Sequence, residues 1–292
     1  MKGVPMLQMT IAMAIFGSIG FFTGKTGIPA AELVFVRCIC ATLFLGFCWF
    51  ITGQYKAEVW RKREVMQTIV CGVFLVLNWV FLFKAFEEMS ITVAITLYNL
   101  APIFVLIISS IALKEQMTVT SLLAIVTCFL GSILIIGIQN VTSFTEFVGS
   151  GFVWAILSAV CYAMTMLIGK GITGLSAYAM TFVQTAIGIV MLFPFMNFTE
   201  FVGLTDSNWL YIIGTGLIHT GFVYYLFFNS LRKLSTVVIS ALVFVDPVVA
   251  ILLDVLILDF HPSGLQTGGI LLIFGGIVYT IVKQEKEVVM SD

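Results

Sequence analysis

The feature that most constrains this chain is a succession of long apolar segments separated by short polar breaks. Each segment is about 20 residues long, the length that a helix needs to cross the hydrocarbon core of a bilayer. Hydrophobic residues make up 60 % of the 292 positions and charged residues 10 %. A soluble domain carries roughly 25 % charged residues, so a water-soluble fold could not cover this apolar surface. Most of the chain must therefore be surrounded by lipid.

The spacing of these segments predicts an all-α integral membrane fold of about ten transmembrane helices. The breaks hold turn-forming or interfacial residues, as at 27–29, 53–56 and 259–262. The apolar N-terminus lacks a cleavage-site pattern and is interpreted as the first membrane helix. The predicted spans are 5–24, 30–52, 65–84, 91–112, 119–138, 148–168, 175–196, 208–230, 236–258 and 264–283.

Lysine and arginine are distributed unevenly over the predicted loops. With the N-terminus in the cytoplasm, 11 of the 14 lie in inner loops, Lys25 and Lys84 lie outside, and Arg37 lies within a helix. Cytoplasmic loops carry such an excess of positive residues. We therefore expect a multi-pass protein of the cell membrane with both termini in the cytoplasm.

The chain also repeats itself at an offset of 145 residues, and no gap is needed from Phe83 to Ile136. Because five helices separate the copies, an odd number, the second copy must enter the membrane upside down. The acidic pair Glu87-Glu88 accordingly falls on the basic pair Arg232-Lys233. Inverted repeats are a transporter architecture with a substrate site near the bilayer midplane. Matching positions include Gly24 and Gly169, Lys25 and Lys170, Trp79 and Tyr224, Ser90 and Ser235, Pro102 and Pro247, and Gly131 and Gly276.

Short motifs occur in both halves. Those of the first half are 14–18, Phe35-Val36-Arg37, Leu100-Ala101-Pro102 and 128–132, and in the second half Val245-Asp246-Pro247 and Phe274-Gly275-Gly276 stand at the places equivalent to the last two. With these motifs the chain resembles the EamA-type family of the drug/metabolite transporter superfamily over nearly its whole length. The resemblance implies a secondary transporter of small metabolites such as amino acids or amines. We expect a first repeat over 1–142, a second, inverted repeat over 146–284 and a cytoplasmic tail over 285–292.

Asp246 is the most informative polar residue inside a predicted span. It lies about halfway along helix nine, and its equivalent in the first repeat is Ala101, so the helix scaffold does not require an acid there. Polar groups at lipid depth are costly and either pair internally or line a path. Asp246 is therefore a proton carrier or a counter-ion for a cationic substrate, or else a structural residue paired with a neighbouring helix, Arg37 or Lys25.

Three other polar residues have both a functional and a structural interpretation. Asp254 lies nearer the outer end of helix nine and is equivalent to Ser109. Arg37 can bind a substrate carboxylate, although a structural ion pair with Asp254 or Glu32 is the preferred interpretation. His219, near the middle of helix eight, is either a proton relay or a packed residue satisfied by its neighbours.

Two prolines occupy equivalent positions, Pro102 in helix four and Pro247 in helix nine. Each removes a backbone donor and disfavours helix just before it. The functional interpretation is a gate or hinge in each helix, and a passive kink is the alternative.

Aromatic and amide side chains in the same spans complete the predicted substrate site. Mid-span rings can receive apolar or quaternary-amine groups by cation–π contact, and core packing is the alternative for each ring. The predicted cavity lies between the halves and is lined by helices one, three, four, six, eight and nine. The predicted substrate-binding residues are Asp246, Asn99, Tyr98, Trp79, Asn78, His219, Tyr224, Phe16 and Trp154, with Tyr162 and Tyr225 nearby.

The remaining expectations concern partners and chemistry. We expect a small-molecule substrate, a lipid bilayer and a monomer or homodimer, with coupling to protons left open. No nucleic acid is expected, since the net charge is −1. No cofactor or metal is expected either, because the two histidines and six cysteines lack ligand spacing. A membrane enzyme is not expected, and a non-transporting membrane sensor or scaffold is the alternative function.

Overall fold

The computed structural model describes residues 3–88, 91–112, 118–136, 150–257 and 261–289. Within these ranges the chain is helical and contains no strand. Among the described residues, eight helical stretches, some of them interrupted, are long and apolar enough to cross a membrane, and two shorter apolar helices, Ala101–Ala112 and Val119–Ile135, lie between the third and fourth of them. The predicted all-α membrane class is confirmed, whereas the count of ten spans stays a prediction.

The first half begins with a helix that is interrupted at Ser18. The polypeptide leaves the second long helix through a 3-10 turn at Gln54–Ala57. The helices of this half are α1 (Gly3–Gly17), α2 (Ile19–Thr23), α3 (Ala30–Ile51), α4 (Lys62–Glu88), α5 (Ile91–Tyr98), α6 (Ala101–Ala112) and α7 (Val119–Ile136).

The second half contains a π-helical segment, Leu217–Phe222, in the middle of its third long helix. Short 3-10 helices at Phe193–Phe195 and Phe198–Phe201 follow its second helix. The helices of this half are α8 (Ser150–Gly171), α9 (Ala177–Leu192), α10 (Asp206–Gly216), α11 (Val223–Leu231), α12 (Thr236–Leu242), α13 (Val245–Ile257) and α14 (Gly264–Val289).

Helix four is divided into α5 and α6 by a turn at 99–100, inside the predicted span 91–112 and beside the proline that was expected to interrupt its backbone hydrogen bonds. Pro102 explains the division, because it has no N–H to donate to the carbonyl four residues before it. The backbone tightens instead, and the Leu100 N–H bonds the Leu97 carbonyl at 3.0 Å.

Helix nine is divided in the same way, into α12 and α13, at residues 243–244. Here the N–H of Phe244 bonds the Ala241 carbonyl at 3.2 Å, three residues back, shortly before Pro247. This break lies inside the predicted span 236–258, and Thr236–Ile257 as a whole is long and apolar enough to cross a membrane. The breaks are nearly equivalent in the two halves, because the prolines that cause them are equivalent.

Equivalent helices of the two halves pack against each other in opposite directions. In the pair α7–α14, Gln266 near the start of α14 donates to the Ile135 carbonyl near the end of α7, at 3.1 Å. At the other end of the pair, Lys283 donates to the Thr118 hydroxyl. The two helices are therefore antiparallel, although they occupy the same place in their repeats.

The contact between α7 and α14 is also reciprocal. A Cβ added to Gly131 would lie 2.8 Å from Ile273, and one added to Gly276 would collide with the Cys128 sulfur. Gly131 is equivalent to Gly276 and Cys128 to Ile273, so these are the same contact formed twice. Reciprocal contacts of this kind are what a two-fold relation between the halves produces.

The pair α3–α9 follows the same rule. Phe35, near the start of α3, contacts Phe193, just after α9, with ring centroids 6.3 Å apart. Trp49, near the end of α3, contacts Phe182 in the first half of α9, at 5.8 Å. These two helices are antiparallel as well.

Large apolar side chains lie both inside and outside this assembly. Phe227, Phe228 and Phe244 are fully buried between helices of the two halves. Many others stay more than two thirds exposed, as expected of a surface that faces lipid. They include Leu43, Phe50, Ile111, Val190, Leu210, Leu256 and Leu271.

Candidate functional site

A continuous group of aromatic rings lies where the two halves meet, and we call it the aromatic cluster. Three members come from the first half and three from the second, on α1, α4, α5, α8 and α11. Neighbouring ring centroids lie 5.1–6.4 Å apart, within the range of favourable aromatic contacts. The members are Phe16, Trp79, Tyr98, Tyr162, Tyr224 and Phe227.

Helical spacing explains how α11 contributes to this cluster. Tyr224 and Phe227 are three residues apart and lie on one face of the helix. Tyr225 lies on another face and stacks on Tyr178 of α9 with ring centroids 4.3 Å apart. The sequence prediction included Tyr224 and missed Phe227, because in so apolar a segment a phenylalanine carries no signal of its own.

Asp246 lies in the first turn of α13, directly after the break in helix nine. Its backbone lies against Gly17, the neighbour of the cluster member Phe16. Among the described residues, its carboxylate forms neither a hydrogen bond nor an ion pair. The start of α13 favours negative charge through the helix dipole. A carboxylate therefore stands at one edge of the aromatic cluster.

Gly17 allows the first helix to approach this carboxylate closely. A Cβ at Gly17 would collide with the backbone carbonyl oxygen of Asp246 and would lie 3.0 Å from the Cβ of Val249. No side chain fits there without moving one of the two helices. The first helix and the start of α13 are therefore fixed against each other beside the cluster.

The two predicted asparagines have different environments. The Asn78 amide donates to the carbonyl and to the hydroxyl of Ser158, both at 3.0 Å, and the Ser158 hydroxyl returns a bond to the Asn78 carbonyl at 2.9 Å. Asn78 thus holds α4 to α8. The amide nitrogen of Asn99, in the turn between α5 and α6, is buried without a partner among the described residues. Of the two asparagines, Asn99 is therefore the one whose side-chain donor remains available to a ligand.

His219 lies in the π-helical segment and contacts the interruption of the first helix. Its Nε2 atom is 2.9 Å from the Ser18 hydroxyl, and its ring lies 5.0 Å from that of Phe22. Its Nδ1 atom is buried and has no partner among the residues that the structure describes. π-Helical turns inside α-helices frequently occur at functional sites, and the sequence analysis did not foresee this one.

Arg37 reaches the same π-helical segment from α3. Its Nε donates to the Thr220 hydroxyl at 2.9 Å, and one terminal nitrogen lies 3.5 Å from the His219 carbonyl. The guanidinium carbon is 5.9 Å from the ring centroid of Trp79. The carboxylate of Glu32 accepts instead from the N–H of Asn197, at 3.3 Å.

Arg37 forms no ion pair with any residue whose side chain the structure describes. The side chain of Asp254 lies outside the described residues, so the predicted pairing of Arg37 with Asp254 stays a prediction.

Trp154 makes its contacts elsewhere, at the end of α4. Its indole nitrogen donates to the carboxylate of Glu88 at 3.1 Å, and its ring stacks on Phe81 with centroids 5.5 Å apart. Of the five aromatic residues predicted to bind the substrate, it is the one outside the cluster; Tyr225, predicted to lie nearby, is outside it as well. Hydropathy gave its depth along the helix but not the face on which it lies.

The two broken helices touch each other beside their prolines. The hydroxyl of Ser240, in α12, donates to the carbonyl of Pro102, in α6, at 3.3 Å. Both Pro102 and Pro247 are buried. Their role in gating stays a prediction.

The loop between α8 and α9 is held at several points. Glu64 accepts from the N–H of Gly174 at 2.7 Å, and Glu58 accepts from that of Ser176 at 2.8 Å. Arg232 donates to the carbonyls of Ile172 and Leu175, and burial lowers the pKa of its guanidinium. A polar cavity of about 390 Å³ adjoins this loop, lined in part by Tyr225, Asn229 and Lys233.

These features define a multi-pass helical membrane protein built from two related halves. The chain belongs to the EamA-like transporter family, whose profile matches it twice, over residues 4–137 and 149–282. Residue 149 lies 145 positions after residue 4, and residue 282 lies 145 positions after residue 137. The sequence resemblance to this family is thereby confirmed.

Relatives of this chain carry transporter names. It is 54 % identical over 284 residues to the uncharacterized transporter YxxF of Bacillus subtilis (strain 168), a match that covers 97 % of this chain and 91 % of that protein. It is 22 % identical over 221 residues to the pseudopaline exporter CntI of Pseudomonas aeruginosa (strain UCBPP-PA14), covering 73 % of this chain and 75 % of that one. A protein of known crystal structure, 17 % identical, has the same fold with a TM-score of 0.83, covering 96 % of this chain and 99 % of that chain.

Proposed function

We propose that this protein is a secondary transporter that moves a small amphipathic metabolite by alternating access between two inverted repeats. The observation that carries the proposal is the aromatic cluster, to which each half contributes three rings beside the two broken helices. A site shared by two repeats changes its access when the repeats rock against each other. The same rings would hold the apolar part of the substrate.

Inversion of the repeats is supported by the packing of equivalent helices. In both α7–α14 and α3–α9 the equivalent helices are antiparallel. If these helices cross the membrane, the two halves enter it in opposite orientations. The positive-inside distribution favours both termini in the cytoplasm, and in the proposed arrangement the aromatic cluster would lie near the bilayer midplane.

In this proposal Asp246 binds the positively charged group of the substrate or carries a proton. The support is its location against Gly17, beside the cluster member Phe16, and the lack of a partner for its carboxylate among the described residues. Asn99, with its unpartnered amide, supplies a hydrogen-bond donor on the opposite broken helix. An unpaired polar group at such depth is costly unless it serves a ligand or a transport path.

Gating is assigned to the breaks that Pro102 and Pro247 produce. A broken helix can change the angle between its two parts without losing further backbone hydrogen bonds. The bond from Ser240 to the Pro102 carbonyl joins the two broken helices, so a change in one is transmitted to the other.

The test compares two aspartates that both lie in the first turn of a helix. Asp246 lies at the cluster, whereas Asp206 is exposed at the start of α10. Amines, amino acids and nucleosides are first screened by thermal shift, since a bound ligand raises the apparent stability. Hits are then followed in proteoliposomes for uptake and efflux. We expect Asp246→Asn to reduce transport at least tenfold at a normal protein level, and Asp206→Asn to leave it unchanged.

Two results would contradict this proposal. If Asp246→Asn transports at the wild-type rate with the wild-type pH dependence, Asp246 has no role in binding or coupling. If none of the hits crosses the membrane with the wild-type protein, a sensor or scaffold becomes the better interpretation.

A further inference from the structure

Arg37 is a buried cation whose hydrogen-bonding capacity is largely unused. Its side chain is 6 % exposed. A guanidinium has five N–H donors in a fixed fork, and two hydrogen bonds account for its contacts with the described residues. One of these, to the His219 carbonyl, is long at 3.5 Å. A charge buried in this way is costly unless an anion or further acceptors complete it.

The location of Arg37 connects it to the aromatic cluster. The guanidinium lies over Trp79, whose ring contacts Tyr224 at 6.0 Å. Tyr224 also contacts Phe16 at 5.1 Å, and the neighbouring Gly17 lies against the backbone of Asp246. The cation and Asp246 are therefore connected through one series of ring contacts.

The π-helical segment gives Arg37 a defined orientation. Nε is held by the Thr220 hydroxyl, and this hydroxyl in turn bonds the Thr215 carbonyl, five residues back, at 3.4 Å. Gly216 lets α3 approach, because a Cβ there would lie 3.3 Å from the Cα of Arg37. With Nε fixed, the two terminal nitrogens keep the side-by-side geometry that binds a carboxylate in a bidentate manner.

We propose that Arg37 binds an anionic group of the substrate, so that the transported compound is a zwitterion with a carboxylate as well as a cationic group. The aromatic cluster packs against its apolar side chain. This inference rests on the proposed transport function and narrows its substrate class.

The experiment uses matched probes that differ in the carboxylate. Binding of phenylalanine, phenylalanine amide and phenethylamine is measured by calorimetry on the purified full-length protein in lipid nanodiscs. The pair leucine and leucine amide is measured alongside. We expect the wild-type protein to bind each acid at least about tenfold more tightly than its amide, which is the scale of a charge-assisted bidentate contact.

Three variants separate binding from folding. Arg37→Gln is expected to abolish the preference for the acid over the amide, and Arg37→Lys, which keeps the charge but not the fork, to reduce it. Lys84→Gln is the control, because it removes a positive charge from an exposed pair with Glu87. It should retain the wild-type preference. A purely structural role for Arg37 would weaken the binding of acid and amide alike.

The inference is overturned if the wild-type protein does not bind the acids, if it binds acid and amide equally, or if Arg37→Gln preserves the preference. The comparison of acid binding with amide binding by the wild-type protein tests the inference even if the variants fail to fold. If the protein then still transports amines in a way that depends on Asp246, the proposed transport function is retained and only the zwitterionic substrate class is rejected.

Discussion

The contact of α7 with α14 and the meeting of the two broken helices both join equivalent parts of the halves, but one is symmetric and the other is not. At the first, Gly131 and Gly276 perform the same task in each half, since both exclude a Cβ. At the second, the prolines are retained, whereas Ala101 in one half stands where Asp246 stands in the other. The glycine contact is therefore repeated in the two halves, whereas the charged residue beside the proline occurs in the second half and not at the equivalent position of the first.

The asymmetry extends to the helix that faces each break. The position equivalent to Gly17 is Tyr162, so the first half has a glycine where the second has an aromatic ring. Gly17 lets the first helix close onto the start of α13 beside Asp246. Tyr162 instead adds a ring to the aromatic cluster. The second half therefore supplies both the carboxylate and this ring, whereas the first half supplies the close approach at Gly17, so the two halves contribute unlike parts to the site.

The largest expected effect comes from adding a side chain at Gly17, where the first helix touches the start of α13. A leucine there must displace the backbone of Asp246, which has no flexible end that can yield. We expect Gly17→Leu to abolish transport in proteoliposomes. Gly20→Leu is the control, since a Cβ at Gly20 meets nothing within 4 Å. Normal transport by Gly17→Leu would show that the first helix moves freely against α13.

A smaller effect, on stability, tests the symmetric contact. We expect Gly131→Val and Gly276→Val each to lower the free energy of unfolding by about 1–3 kcal/mol through overpacking. The two losses should be similar, because the two glycines make the same contact. Gly275→Val is the control, as nothing lies within 4 Å of a Cβ there. Thermal unfolding in detergent measures all three, and clearly unequal losses would disprove the two-fold relation at this contact.

Hydropathy and the 145-residue offset predicted most of the fold. The helix ends lie within a few residues of the predicted spans, as for α3 (30–51 against 30–52). The offset also identified the equivalent prolines, but their consequence was left open between a hinge and a kink. Whether a helix breaks depends on which carbonyls find other donors, and that is decided by tertiary contacts. The π-helical segment around His219 escaped prediction for the same reason.

The site was predicted less completely, because periodicity gives the depth of a residue and not its neighbours. Tyr98, Trp79, Phe16 and Tyr224 were all predicted from the sequence, and they do lie in one group of ring contacts. Ser18, which contacts His219, was overlooked, since a serine in an apolar helix usually bonds its own backbone. It does so here too, at 2.7 Å to the Ile15 carbonyl.

The smallest expected effect distinguishes two tryptophans that the sequence could not separate. Trp79→Phe removes the larger ring from between Arg37 and Tyr224, so we expect weaker substrate binding, by several-fold, in the nanodisc assay. Trp154→Phe loses a hydrogen bond to Glu88 at the exposed end of α4, and we expect unchanged binding and transport. Both variants replace tryptophan by phenylalanine, so a difference in substrate binding between them reflects the different locations of Trp79 and Trp154. A loss of binding in Trp154→Phe equal to that in Trp79→Phe would mean that the substrate path extends along α4 beyond the aromatic cluster.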